Sequence, residues 1–369
     1  MRTLILLFII FNRMIAGNQG DEKKQFVEFD LPPMIWLNAD EKARLKNSRA
    51  VYSNPSFTDI LNRADEAMGL FPNPVDSIFY EGYLSNHPRR INTVNHLNDM
   101  KSIYSLSWTY LITGEERYGI KTKEYLSAWV SKYKPTGNDV NENKLDICFF
   151  AFDAIKELLT FEERSKIKIW ISDIAEKQKL KWDVNSGSSN RHAKRLKLIY
   201  LSSLILDDNN LKEFVFQKFN TLLETSLNAD GTTRDLVRRD AMHYNVSCLL
   251  NILETANLLS MENRNYYLYQ TDSGASLKNC VQFVLPYAKG EKIYKEWVNT
   301  KIEFDRKRAL SGDAFYQPGK PWDRFEAIDM LILASRYDNS LLHLSEELIR
   351  KKYGNNNYWI FILNNILSN

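Results

Sequence analysis

The sequence predicts an all-α chain folded as an α/α toroid, an incomplete α/α barrel built from antiparallel helical hairpins. Three observations predict it. Apolar residues recur at helical spacing along most of the 369 residues, alternating strand patterns are scarce, and the connections are mostly a few polar residues, which favours antiparallel neighbours. Helix pairs recur at roughly forty to fifty residues without a repeat consensus, which favours a ring over an open solenoid.

In chain order, "MRTLILLFIIFNRMIAG" comes first. Arg2 supplies a basic region, Leu4 to Phe11 an apolar core, and Ala16-Gly17 small residues at a plausible cleavage point. Eight apolar residues cannot cross a bilayer, so residues 1–20 are expected to be a signal peptide. The remainder, 21–369, is expected to be one domain, secreted or periplasmic, with no membrane span. "DEKKQFVEFDLPP" is then an exposed lead-in. Asn38, with Glu41 three residues on, marks a helix start of capping-box type. The run 96–133 reads as a helical hairpin whose first helix ends at Gly114. Further helices are predicted near 145–159, 161–182, 192–206, 211–227, 240–259, 322–337, 341–353 and 356–367. Two segments, 69–95 and 311–322, are rich in aromatics, Gly, Pro and Asn, as expected of loops lining a groove.

Charge and cysteines exclude several functions. Lys and Arg number 49 against 46 Asp and Glu, a net charge of +3. Loss of Arg2 and Arg13 with the signal lowers it to +1. A chain so nearly neutral has no global affinity for nucleic acid, so any anion site must be local. Cys148, Cys248 and Cys280 have no metal-type spacing, and the first two lie in apolar helical runs as buried thiols. No cofactor or metal is expected.

Two stretches could carry chemistry. The first is "SSNRHAKRL", 188–196. Asn190 is placed at or just before a helix start, where it could cap the helix or, with free backbone N–H groups, face an anion. The second is "NADGTTRDLVRRDAMHYNVSCLLNIL", 228–253. Asp230-Gly231 is a turn, a helix runs from Ala241, and Arg238, Arg239, Asp240, His243 and Tyr244 gather at its start. Arg239 and His243 are expected to share a face, as are Asp240 and Tyr244. A bland alternative has Asp240 as cap, the arginines solvated and Tyr244 packed. Yet amide, guanidinium, imidazole and phenol together suit β-elimination from an acidic sugar. The carboxylate must be neutralised before its neighbouring C–H can be broken. A Tyr or His can then take that proton, and a Tyr can return one to the departing oxygen.

Asn-x-His at a helix start, then Asp-Gly, then Arg and Tyr at a later helix, resembles the alginate lyase superfamily of α/α-toroid polysaccharide lyases. That pattern has Asn and His adjacent, whereas Arg191 here separates Asn190 from His192. The resemblance implies a secreted lyase that cleaves a 1,4-linked polyuronate, either alginate (poly-mannuronate) or glucuronan, and leaves 4,5-unsaturated ends. It implies that Asn190 and one arginine, Arg238 in preference to Arg239, neutralise the carboxylate. Tyr244 would be the general acid, and the base when H5 and the leaving oxygen share a side. His192 would be the base for the opposite stereochemistry, or would orient the substrate. Arg239, His243, Arg195, Arg89 and His96 would be subsite contacts.

Two rival functions fit the architecture. An inverting glycoside hydrolase would need a carboxylate pair roughly 6.5–9.5 Å apart. Asp76, Glu81, Asp146 and Asp313 are candidates, none in an evident pair. A non-catalytic glycan-binding protein would keep the arginines and aromatics, with no need for Tyr244 beside His192.

Overall fold

The computed structural model describes residues 28–46, 48–183 and 189–368. The predicted signal peptide lies outside them. Among the described residues extended chain pairs only at two isolated bridges, Leu227 with Thr233 and Lys295 with Pro321. None of the helices among the described residues is long and apolar enough to cross a membrane.

Five helices form the inner layer: Pro88–Thr113, Asp146–Ile155, Ser189–Leu206, Met242–Leu259 and Ile328–Ala334. Each packs on the next. Five others, Glu116–Lys132, Phe161–Leu180, Asn209–Ser226, Leu277–Lys289 and Ser340–Tyr353, pack outside them. The last helix, Trp359–Ser368, meets Ala39–Lys46 and Ile328–Ala334, and Ala39–Lys46 meets Pro88–Thr113. The two chain ends thus close the ring, and the fold is an α/α toroid.

Burial patterns explain which helix goes where. Met242–Leu259 buries 13 of its 18 residues, Asn245, Asn251, Glu254 and Thr255 among them, and so is enclosed nearly all round as an inner helix must be. Asn209–Ser226 buries only 6 of its 18, a single stripe through Leu211, Val215, Phe219 and Leu222. Local signals set the boundaries. Asn38 and Glu41 exchange reciprocal side-chain to backbone bonds at 2.8 and 2.9 Å. Gly114 ends its helix at φ 71°, a left-handed conformation glycine adopts without strain. Inside the ring Lys197 links Asp146 at 2.8 Å with Glu254 at 3.0 Å, joining three inner helices by a fully paired buried charge. The three cysteines are buried thiols outside any disulfide.

Three boundaries differ from the sequence reading. The segment 69–95 is irregular only as far as His87, because Pro88 begins a helix with its preset φ. Helix Leu277–Lys289 has no counterpart in the reading, since Pro286 inside its apolar run resembles a stop; the last turn accommodates it. Asp240 does not cap the helix that follows. It ends a short helix, Arg234–Arg239, in the left-handed region at φ 49°.

Candidate active site

A cleft of about 830 Å³ opens where the inner helices begin. Arg90, Lys144, Asn190 and Tyr244 all line it, each within or just before the first turns of an inner helix. Four positive helix ends therefore point toward one space. Its lining carries seven Lys or Arg (Arg90, Lys144, Arg191, Lys194, Arg238, Arg239, Arg308) against five carboxylates (Glu28, Asp30, Glu81, Asp235, Asp313). A chain with almost no net charge thus concentrates cations here. Burial, and then the neighbouring Lys194, pushes the Lys144 ammonium down to about 7, and burial lowers Lys194 as well.

Tyr244 is held from four sides. The Arg239 guanidinium lies 3.3 Å from the ring centroid. Asp305 fixes that guanidinium through both Nε and Nη2. Arg308 donates to the phenol oxygen at 3.2 Å. Trp297 stands edge-on at 5.7 Å and His243 at 5.0 Å. Tyr316 packs into the same cluster, on Trp297 at 4.9 Å and under the Arg308 guanidinium at 4.5 Å. Burial works against the charge of Arg308, but Tyr244 and Tyr316 raise its pKa well above the ordinary value.

The break at Asp240 creates this arrangement. Its carbonyl accepts from Trp297 N at 2.6 Å, and its carboxylate accepts from Tyr294 Oη at 2.8 Å and Asn299 N at 2.7 Å. With the chain turned there, Arg239 reaches the face of Tyr244 instead of pairing with His243 along one helix. Asp240 and Tyr244 likewise do not share a helical face.

Asn190 lies in the first turn of Ser189–Leu206 and is buried. Its backbone N–H donates to Asp235 Oδ2 at 3.0 Å, so that helix end already holds a carboxylate of the protein itself. The Nδ2 atom donates to Ser247 Oγ at 2.9 Å, and Oδ1 has no partner. Exchanging the two amide atoms puts the oxygen on the Ser247 hydroxyl and leaves an unpaired donor in the cleft wall. Lys194, four residues on, shares this face. Arg191 also lines the cleft, anchored to Asp139 through Nε at 2.9 Å and Nη2 at 2.6 Å and to Glu81 at 3.2 Å.

The structure thus brings Asn190, Arg238, Tyr244, Arg239 and His243 to one cleft. It does not bring the other four. His192 is turned away, its Nε2 2.6 Å from the Asp183 carbonyl and its ring 4.6 Å from Trp182. Arg195, on the same outward face, donates to the carbonyls of Gly137 at 3.2 Å and Gln178 at 2.8 Å. Arg89 is exposed and reaches Tyr83 Oη at 3.4 Å. His96 contacts the Asn73 carbonyl at 2.8 Å. Of the hydrolase carboxylates, Asp76 and Asp146 lie outside the lining, and Glu81 and Asp313 are held by Arg191 and by Ser85 at 2.8 Å.

The sequence matches the alginate lyase family over residues 43–294. The chain belongs to that family. It is therefore a polysaccharide lyase. No curated protein matches it. Among solved structures it is similar to an alginate lyase from Bacteroides ovatus, at 16% identity and TM-score 0.64, over 84% of this chain and 94% of that one. It is also similar to alginate lyase A1-III from Sphingomonas species A1, at 16% identity and TM-score 0.54, over 82% and 92%. A variant of A1-III complexed with a tetrasaccharide matches at 16% identity and TM-score 0.55, over 79% and 91%. These likenesses show a shared fold.

Several groups of the lyase's cleft escaped the sequence reading. Arg308, Tyr316, Lys144, Arg90 and Glu28 come from short helices, helix starts and irregular chain far from both chemical stretches, with no spacing to tie them together. Lys194 did carry a signal, its four-residue interval from Asn190.

Two predictions arise from this geometry. Replacing His192 by Ala removes a buried ring and its hydrogen bond and leaves the cleft wall intact. Thermal unfolding should move down by a few degrees, for a cost of about 1–3 kcal/mol, while kcat stays close to that of the unmodified lyase. A kcat falling in step with a Tyr244 variant would place His192 in the chemistry.

The second concerns Glu296, buried beneath His243, whose backbone N–H it accepts at 2.7 Å. Burial pushes its carboxyl up to about 7 from 4.5, opposed by that bond and reinforced by Glu326. The folded state then holds the proton more tightly than the unfolded chain. Its contribution to stability is present below pH 4.5 and is lost as pH rises through about 7. Denaturant titrations of the Glu296→Gln variant should show a flatter stability profile between those limits.

Proposed function

We propose that this lyase cleaves a polyuronate of the mannuronate type by syn β-elimination, with Tyr244 as both base and acid. What carries the reading is that Tyr244 and Asn190 line one cleft while His192 points out of it. Asn190 and Arg238 bind the uronate carboxylate at the +1 position and withdraw charge as the C5 carbanion develops. Tyr244 Oη, acting as the phenolate, takes the C5 proton and becomes a phenol, the electron pair forms C4=C5, and the C4–O4 bond breaks. The same phenol returns the proton to O4. Arg308, donating to Tyr244 Oη, stabilises the phenolate that is present before the first transfer and again after the second. Arg239 below the ring and Trp297 at its edge hold the phenol in place.

One group doing both proton transfers works from one face of the sugar. It requires H5 and O4 on the same side, as in mannuronate and glucuronate, and it disfavours guluronate, where they are opposed. Alginate supplies mannuronate, and the relatives of similar fold are alginate lyases. Absorbance near the ultraviolet band of the conjugated C4=C5 product, followed on poly-mannuronate, poly-guluronate and glucuronan, tests it. The expected result is a fast rise on poly-mannuronate and little on poly-guluronate. A faster rise on glucuronan would rename the substrate and keep the chemistry. A faster rise on poly-guluronate would require a second proton carrier and overturn the single-tyrosine mechanism.

A further inference from the structure

The chain just before the first helix crosses into the cleft and is tied there. Glu28, Phe29 and Asp30 all line it. Phe29 is buried; its N–H donates to Tyr80 Oη at 3.3 Å and its carbonyl accepts from Lys144 Nζ at 3.3 Å. The Tyr80 hydroxyl and the buried Arg90 both bond the Glu28 carboxylate. Lys144 lies 3.7 Å from the Tyr80 ring centroid, and Arg90 lies 3.9 Å from it. One aromatic side chain and two cations therefore fasten three residues of otherwise irregular chain. Burial and then Tyr244 raise the Tyr316 pKa, with Glu28 adding to them, and desolvation raises that of Asp30, with Lys144 opposing it.

A strap whose exposed Asp30 carboxylate lines the cleft, beside a Glu28 already paired with Arg90, is a poor surface for a polymer bearing one carboxylate per sugar. Lining cations attract uronate units elsewhere in the cleft, and the strap repels the unit that would extend past it. We propose that the strap of residues 28–30 is an end-stop: the lyase accepts the terminus of a uronan and releases one short product of fixed length, instead of cutting at internal bonds. The inference rests on the lyase reading above and specifies which bond of the chain is cut.

The test follows product size by mass spectrometry, and viscosity alongside absorbance, for the unmodified chain and for Asp30→Asn and Asp30→Lys on poly-mannuronate. Asp30 is chosen because Glu28 neutralises the buried Arg90, whose loss of partner would unsettle the fold. The unmodified lyase should yield one product length from the first time point, with viscosity lagging behind absorbance. The Asp30 variants should add a ladder of longer oligomers, more of them with Lys than with Asn. A ladder and an early loss of viscosity from the unmodified chain would overturn the end-stop while leaving elimination intact. An unchanged product pattern in both variants would show that the strap's charge does not set the cut. Absence of absorbance from every uronan would instead remove the lyase reading itself.

Discussion

Replacing Tyr244 by Phe is expected to lower kcat on poly-mannuronate by about 10²–10⁴-fold, the usual contribution of a positioned acid or base. The change removes one oxygen. The ring keeps its stack on Arg239 and its edge contact with Trp297. Arg308 keeps the Asp305 carboxylate at 3.4 Å and its place against Tyr316. Folding should be undisturbed, so the melting temperature and oligosaccharide affinity should change little. Stopped assays with KM and kcat determined separately, together with a thermal scan, check this. A variant retaining most of its kcat would show that another group moves the proton, and the cleft would need a new base.

Replacing Asn190 by Leu should cost about 10²–10³-fold in kcat, comparable to removal of one hydrogen-bond donor from an oxyanion site. The reason differs from that for Tyr244. The amide moves no proton; it binds a carboxylate whose charge grows as C5 loses hydrogen, so its bond is worth more in the transition state than in the bound substrate. The loss should appear mostly in kcat, with a smaller rise in KM. Leu has similar volume but leaves the Ser247 hydroxyl, 2.9 Å from the native amide, without its partner. A modest loss of stability is therefore expected as well. A fall in stability with kcat intact would reduce Asn190 to a packing residue.

The fold was legible in the sequence because helical periodicity, short polar links and Gly114 each leave a local signature. The helix at Leu277–Lys289 was not, because Pro286 mimics a terminator. The site was half legible, and the division has a geometric cause. On an α-helix successive residues are turned by about 100°, so positions two apart point nearly opposite ways and positions four apart nearly coincide. Once the helix begins at Ser189, Asn190 and His192 cannot face one cleft, and Asn190 and Lys194 must. Placing the helix start three residues later hides this. Arg308, Tyr316 and the strap residues leave no such trace, since only the closed ring brings loops from both ends of the chain over the same helix starts.

The turn at Asp240 bears on how such sites can be found at all. It is a hinge that uncouples the segment bearing Arg238 and Arg239 from the helix bearing Tyr244, and residues 294–299 hold it shut. With that hinge in place, the number of residues between arginine and tyrosine is not what aligns them. Insertions or deletions on either side can be absorbed by the joint, and the count along the chain is free to drift. A search for a fixed Arg-to-Tyr interval would overlook chemically equivalent chains. A search for a left-handed joint clasped by a distant loop would recover them.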